Sequence, residues 1–201
     1  PKSSFNIRQI MDERKILIVN LSRGLVGEDN AALLGALLVT KVQMASMSRA
    51  DIPGEQRMPF YLYVDEFQNF ATDSFATILS EARKYGLNLT VANQYIAQMI
   101  PEVRDAVFGN VGSIISFRTS ADDASTMMKY FEPKFTDHDM VHMNNRHFAV
   151  SMTIGGEKMQ AFSAVSLNLP PFQQDYTAQI VEHSRATYSR TRQQVEGYIA
   201  E

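Results

Sequence analysis

The sequence predicts an α/β protein: a mostly parallel sheet with helices on both faces, then an antiparallel hairpin and a C-terminal helix. Three observations carry this expectation. Short apolar runs alternate with segments of helical periodicity through residue 131. Two alternating runs flank Ile154-Gly155-Gly156-Glu157, a hairpin pattern. Pro170-Pro171 then breaks the chain ahead of a polar helical stretch.

Taken in order, Lys15-Ile16-Leu17-Ile18-Val19-Asn20-Leu21 is continuous, apolar and β-branched, as a strand buried on both faces should be. Beyond Gly24 and Gly27 the period changes. Glu28-Asp29-Asn30 supplies helix-start chemistry, and Leu33, Leu34, Leu37, Leu38, Lys41 and Met44 recur at helical spacing to about Ser48. Residues 50–59 hold two prolines and a glycine and read as a polar, flexible loop. Phe60-Tyr61-Leu62-Tyr63-Val64 is a second buried strand, ending abruptly in Asp65-Glu66. A helix over 73–85 buries Phe75, Ile78, Leu79 and Ala82, and Gly86 closes it. Strands at 87–92 and 113–117 and helices at 101–108 and 120–131 complete the alternation. Arg146 to Thr153 and Lys158 to Ser163 form the hairpin, and residues 173–200 form one helix with a thin apolar stripe of Ile180, Val181, Tyr188, Val195 and Ile199. Residues 1–170 are thus one α/β domain and 171–201 a helical extension.

Composition narrows the function. The chain has 201 residues with 45% hydrophobic and 20% charged content, an ordinary globular balance. It has no cysteine, which excludes a disulfide scaffold or thiolate metal site and fits a reducing compartment. No apolar run reaches the eighteen or so residues of a membrane span, and no signal peptide opens the chain. A start at Pro1 points to a processed or excised piece. With a net charge of −3, contact with nucleic acid requires a local basic patch. Arg185, Arg190, Arg192 and Lys158 offer a strip, but Glu182 and Glu196 interrupt it, so a solvated helix face is the reading. His138 and His142 stand at i, i+4 without a strong third ligand, which disfavours zinc; Asp137 reads as a turn or helix cap. The eleven methionines, Met44, Met47, Met127 and Met128 among them, read as core filler.

Chemistry concentrates at the ends of two strands. Ligands of open α/β sheets lie beyond the carboxyl ends of the strands, where Asp65 and Glu66 project. Asp65 suits Mg²⁺, directly or through water, and Glu66 suits orientation of a water attacking a γ-phosphate. Asn93-Gln94 ends the next strand, and a polar amide at that edge is a candidate γ-phosphate sensor. Arg83 and Lys84 close the intervening helix, where basic residues are favoured in any case.

Together, Asn20-Leu21-Ser22, the Gly27-to-Gly35 helix start, Tyr63-Val64-Asp65-Glu66-Phe67, Glu81-Ala82-Arg83-Lys84-Tyr85-Gly86, Ala92-Asn93-Gln94 and Gly109-Asn110-Val111-Gly112 resemble the HerA/FtsK/VirD4-type P-loop ATPases, including TraG/TraD-like coupling proteins, over about residues 14–170. The resemblance implies a partial RecA-like core and matches Asp65 and Glu66 to the Walker B acids and Gln94 to the sensor amide. It matches Arg83 to an arginine reaching a neighbouring subunit's nucleotide, and Phe117-Arg118 with Asp122-Asp123-Ala124 to the segment after the fifth core strand. It also implies ATP and Mg²⁺ in the full-length protein, a homo-oligomeric ring (a hexamer) and DNA as partner. The location implied is the cytoplasm, or the cytoplasmic face of the inner membrane beside secretion machinery, with no span in this chain.

One departure matters. A Walker A loop needs Gly-x-x-x-x-Gly-Lys-Ser/Thr, and no Gly-Lys pair occurs in these 201 residues. The chain by itself is therefore expected to be inactive and to hold no nucleotide tightly. A non-catalytic assembly module with a truncated ATPase fold is the alternative. The resemblance further sets the strand order 15–21, 60–65, 88–92, with 113–117 closing on 88–92 or its vacancy filled. Residues 1–12, with Phe5, Ile7 and Ile10 alternating, are the expected filler, or else a second copy.

Overall fold

The computed structural model describes residues 3–71 and 73–200. They form two compact units: Ile7–Ser166, and the described residues before Ile7 together with those after Ser166.

Within the larger unit the helices are α1 (Ile7–Asp12), α2 (Arg23–Val26), α3 (Glu28–Met47), α4 (Asp73–Glu81), α5 (Pro101–Asn110), α6 (Ala121–Phe131) and α7 (Asp137–Val141). The strands are β1 (Phe60–Val64), β2 (Leu87–Val91), β3 (Ser113–Ser116), β4 (His147–Ile154), β5 (Glu157–Lys158) and β6 (Phe162–Val165). β1 and β2 pair in parallel, with Phe60 opposite Leu87 and Val64 opposite Val91. β3, β4 and β6 form a separate antiparallel sheet, β4 lying between the other two, and β5 extends the far end of β4. The protein is therefore α/β with one parallel and one antiparallel sheet.

Each sheet has its own core. Val64, Phe67, Leu87, Phe75, Ile78 and Val103 pack with Val39 and Val42 of α3 against one face of β1–β2. Ala124, Met127, Phe131, Met140, Ala149 and Ala161 fill the space between α6, α7 and β4. Phe67 and Phe75 meet at 4.4 Å between ring centroids, an aromatic contact of favourable geometry.

Several expectations need correction. Residues 15–21 form no strand: Ile16 and Ile18 are 89% and 77% exposed. An apolar, β-branched run becomes a strand only where a sheet edge takes up its N–H and C=O groups. Here Leu17, Val19 and Leu21 line one side of a groove of about 1120 Å³ whose other walls come from α3 and β1. β1 is not buried on both faces either. Tyr61 and Tyr63 are 60% and 72% exposed, so the parallel pair is covered on one side only. Ser113–Ser116 runs antiparallel to β4 instead of lying parallel in one sheet with β2. The hairpin thus extends β3, as expected, while β2 and β3 stay in separate sheets. The N-terminal filler strand is also absent. Ile7, Ile10 and Met11 recur at helical spacing in α1, and Met11 is fully buried; Pro1 and Lys2 lie outside the described residues.

α3 turns a different face inward from the one its leucines suggested. Ala31, Gly35, Val39, Val42 and Ser46 are buried, whereas Leu33, Leu34, Leu37 and Met44 are exposed. Close approach is the reason, because a Cβ on Gly35 would lie 2.2 Å from the Phe70 ring. Gly35→Ala is therefore expected to lower stability. Overpacking costs about 1–3 kcal/mol, against about 1 kcal/mol gained in helix propensity. The loss should shrink in a Phe70→Leu background. Denaturant unfolding showing Gly35→Ala more stable than the parent would refute the packing. Residues 28–51, α3 with the 3-10 turn that follows it, are also long and apolar enough to cross a membrane by length and composition, contrary to the reading that no run is.

Local caps explain other boundaries. The helix expected over 73–85 becomes α4 followed by a 3-10 turn, Ala82–Tyr85, which Gly86 ends at φ 72°. Thr136, not Asp137, caps α7: its hydroxyl accepts from Asp139 N–H, and Asp139 accepts from Thr136 N–H at 2.7 Å. The Thr136 hydroxyl also donates to Asp139 Oδ2 at 2.7 Å, and this bond first, then the one from Thr136 N–H, holds the Asp139 carboxyl below its usual range. In the smaller unit the single helix becomes two, α8 (Thr177–Tyr188) and α9 (Arg192–Ala200). Ser189 ends the first, and Thr191 with Gln194 forms a reciprocal cap that starts the second. Phe5 packs edge-on against Tyr188 at 6.1 Å. Of the methionines read as filler, Met127 is buried, but Met44 and Met47 are exposed.

Candidate functional site

β1 and β2 are in register and parallel, so their carboxyl ends lie side by side. Ala92 N–H donates to Val64 O and Phe67 N–H donates to Ala92 O, both at 2.9 Å, which carries the ladder past the end of β1. Between these anchors Glu66 takes a left-handed conformation, φ 49° and ψ 42°, which is uncommon for a residue with a Cβ. The turn directs the Glu66 carboxylate toward the neighbouring strand's exit. Oε1 accepts from Gln94 Nε2 at 2.7 Å, and Oε2 accepts from Gln68 Nε2 at 2.7 Å. A carboxylate accepts only, so both amides present their nitrogen to it. Asp65 is exposed, and its Oδ1 accepts from Glu66 N–H at 2.9 Å.

The fold therefore brings together Asp65, Glu66 and Gln94, residues 28 positions apart, at one edge of the sheet, where they line the groove with Gln68. Arg83 does not join them. It sits exposed in the turn preceding β2, at the opposite edge, roughly 16 Å away for a five-residue strand.

Two contributors went unread in the sequence. Gln68 has the wrong spacing for any strand-end pattern, since Asp65-Glu66-Phe67-Gln68 turns back on itself. Asp123, noted only as part of the family resemblance, is buried on α6, and its Oδ2 accepts from Ile96 N–H at 3.1 Å. It pins the turn that follows Gln94. A loop at residues 50–59 that read as flexible is instead tied down. Arg49 is fully buried and donates to Tyr85 O at 3.1 Å and to Met58 O; its Nε lies 3.1 Å from Asp12 Oδ1 without hydrogen-bond alignment. Arg57 donates to Ile52 O at 2.8 Å and to Lys84 O. Arg8 binds Asp51 at 2.6 Å and holds its carboxyl below the usual range.

A site for Mg²⁺–ATP would need acids for the cation, a water-orienting base and a phosphate cradle. The first two fit. Asp65 is exposed at the strand end, and Gln68 Oε1 is buried with no partner, an acceptor awaiting a donor such as water. The cradle does not fit, for want of any Gly-Lys pair.

Comparison with known proteins gives one partial family match and a likeness of fold. Residues 59–148, just under half of the chain, match the family described as the TraM recognition site of TraD and TraG. No curated protein matches the sequence at a significant level. Among solved structures, the genome packaging NTPase B204 from Sulfolobus turreted icosahedral virus 2, in complex with AMPPCP, superposes with a TM-score of 0.55. The two are 14% identical, and the match covers 84% of this chain and 74% of that one, a likeness of fold. The segment 59–148, which carries Asp65, Glu66, Arg83, Gln94 and Asp123, is therefore TraG/TraD-like, within a chain folded like a genome-packaging NTPase.

Proposed function

We propose that this chain supplies the hydrolysis side of a ring-forming ATPase that couples ATP hydrolysis to translocation of DNA or DNA–protein complexes, as in conjugation and type IV secretion. The TraG/TraD-like match and the NTPase fold support this reading, and one observation carries it. Glu66 is held by Gln94 across two strand ends, where the attacking water of a P-loop ATPase is handled.

In this reading the core is RecA-like and Asp65-Glu66 is its Walker B pair. Mg²⁺–ATP, when bound, supplies the phosphoanhydride to be broken and the cation that offsets its charge. Asp65 holds that cation, directly or through water. Glu66 orients the water and polarises it. Gln94, hydrogen-bonded to Glu66, reports the terminal phosphate to that carboxylate. Arg83 lies at the far edge, away from this site; the family resemblance gives it a neighbouring subunit's nucleotide to serve, in a ring, a hexamer. A location in the cytoplasm, or for the full-length protein at the cytoplasmic face of the inner membrane, and a protein partner recognised through 59–148 belong to the same proposal.

The missing Gly-Lys pair favours a second reading, a non-catalytic assembly module. Both readings share one expectation. The chain by itself is expected to show no ATP turnover, because a phosphate cradle contributes most of the nucleotide's binding. Magnesium-dependent turnover that survives purification and vanishes in Glu66→Gln would overturn this division of labour.

A further inference from the structure

The turn that carries Arg83 is gripped from outside. Ala82–Tyr85 is a single 3-10 turn at the end of α4, and such ends usually leave carbonyls to water. Here two successive carbonyls receive guanidinium donors. Arg57 donates to Lys84 O, and Arg49 donates to Tyr85 O at 3.1 Å. Arg57 also lies over the Tyr85 ring, 5.6 Å from its centroid, a cation–π distance. The two arginines are themselves linked, since Arg57 Nε donates to Arg49 O at 3.1 Å. Arg8 donates to Ser48 O at 2.8 Å, next to Arg49 in the chain. Gly86 closes the turn in a left-handed conformation, where a Cβ would meet Arg49 Nη1 at 3.5 Å and Arg57 Cβ at 3.6 Å.

Such holding exceeds what ending a helix requires, because Gly86 alone supplies a cap. Its effect is to fix the backbone from which the exposed Arg83 and Lys84 project. An arginine side chain has several rotatable bonds, so the direction of its Cα–Cβ bond is what the fold can set in advance. We propose that Arg57 and Arg49 are positioning residues that hold the 82–85 turn so that Arg83 meets the nucleotide of the adjoining subunit. This rests on the reading of Arg83 as a residue acting in trans.

Arg57, half-buried and holding carbonyls by its side chain, is the position to test, in the assembled full-length protein. Arg57→Ala should lower kcat about a hundredfold, the effect of a misplacement on the order of 1 Å, with KM for ATP nearly unchanged. The double variant Arg57→Ala/Arg83→Ala should be no slower than Arg83→Ala alone. Rings mixed from Arg57→Ala and Glu66→Gln subunits should turn over faster than either pure ring, because some interfaces then pair an intact Glu66 with an intact Arg83. Amide exchange should quicken at residues 83–87 and stay unchanged in the β4–β6 hairpin. Arg57→Lys, which keeps the charge on a single donor nitrogen, should loosen the turn less and retain more turnover.

Additive losses in the double variant, or unchanged exchange at 83–87, would overturn the positioning role even if Glu66→Gln abolishes turnover. If Glu66→Gln leaves turnover intact, the site reading itself fails, whatever Arg57→Ala does. If Arg83→Ala alone turns over normally in assembled rings, the trans assignment fails and the positioning role with it. Should Arg57→Ala not fold, Arg57→Lys carries the same double-variant and exchange tests.

Discussion

Glu66→Gln in the full-length protein is expected to lower ATP turnover at least a hundredfold, about 3 kcal/mol in barrier, while nucleotide stays bound. The geometry explains both halves. Glu66 now accepts from two amides, Gln94 and Gln68, each at 2.7 Å. An amide at position 66 keeps one acceptor and adds a donor, so one of the two glutamines faces an N–H where it faced an oxygen. The left-handed turn survives, since backbone bonds from Ala92 and Phe67 set it. What is lost is the charge that polarises and orients water, a demand of the transition state and not of ground-state binding. Steady-state turnover together with retained nucleotide is the measurement. Turnover within tenfold of the parent would remove Glu66 from the chemistry.

Arg49→Ala should produce a large loss of stability, about 3 kcal/mol or more. Its side chain is fully buried and satisfies Tyr85 O and Met58 O, with Asp12 beside its Nε. Hydrogen bonds from a charged donor contribute about 1.5–3 kcal/mol each, and stranded buried carbonyls add to the loss. For a chain of this size that corresponds to roughly 6–12 °C in Tm. Arg49→Lys should recover little, because one ammonium cannot reach both carbonyls in the fork geometry of a guanidinium. Exposed Arg83→Ala should change stability by about 0.5 kcal/mol or less. Thermal unfolding that places Arg49→Ala within 1 kcal/mol of the parent would show that the three elements it joins hold without it.

Much of this molecule was legible in advance where the signal was local. β1 and β2, their parallel sense, α5, α6 and the hairpin all follow from period and turn chemistry. Gly155 and Gly156 at φ 60° and 90° sit where the turn was expected. The break between α8 and α9 has a local signal too, the Thr191-x-x-Gln194 cap, inside what apolar spacing alone reads as one helix.

Residues 15–21 show where local signal stops. Composition can ask for a sheet edge but cannot supply one, and Ile16, Ile18 and Val19 stay exposed. α3 makes the same point from within a helix. Its leucines mark an apolar stripe, yet the face that packs is decided by Gly35, the position that lets the Phe70 ring approach. Arg49 precedes the polar stretch 50–59 and Arg57 lies within it. Their partners are carbonyls 36 and 27 residues away, which no pattern in the chain encodes.

By itself the sequence determined which residues could do chemistry. Asp65, Glu66 and Gln94 end apolar runs, and a strand's end is a position that period and composition reveal. Only the tertiary structure decided which of them meet. Parallel pairing of β1 with β2 puts Glu66 and Gln94 at one edge, 2.7 Å apart, and leaves Arg83 at the other. The physical reason is that strand direction orders the chain along the sheet: residues after a strand collect at its carboxyl end, and those before it at the opposite end.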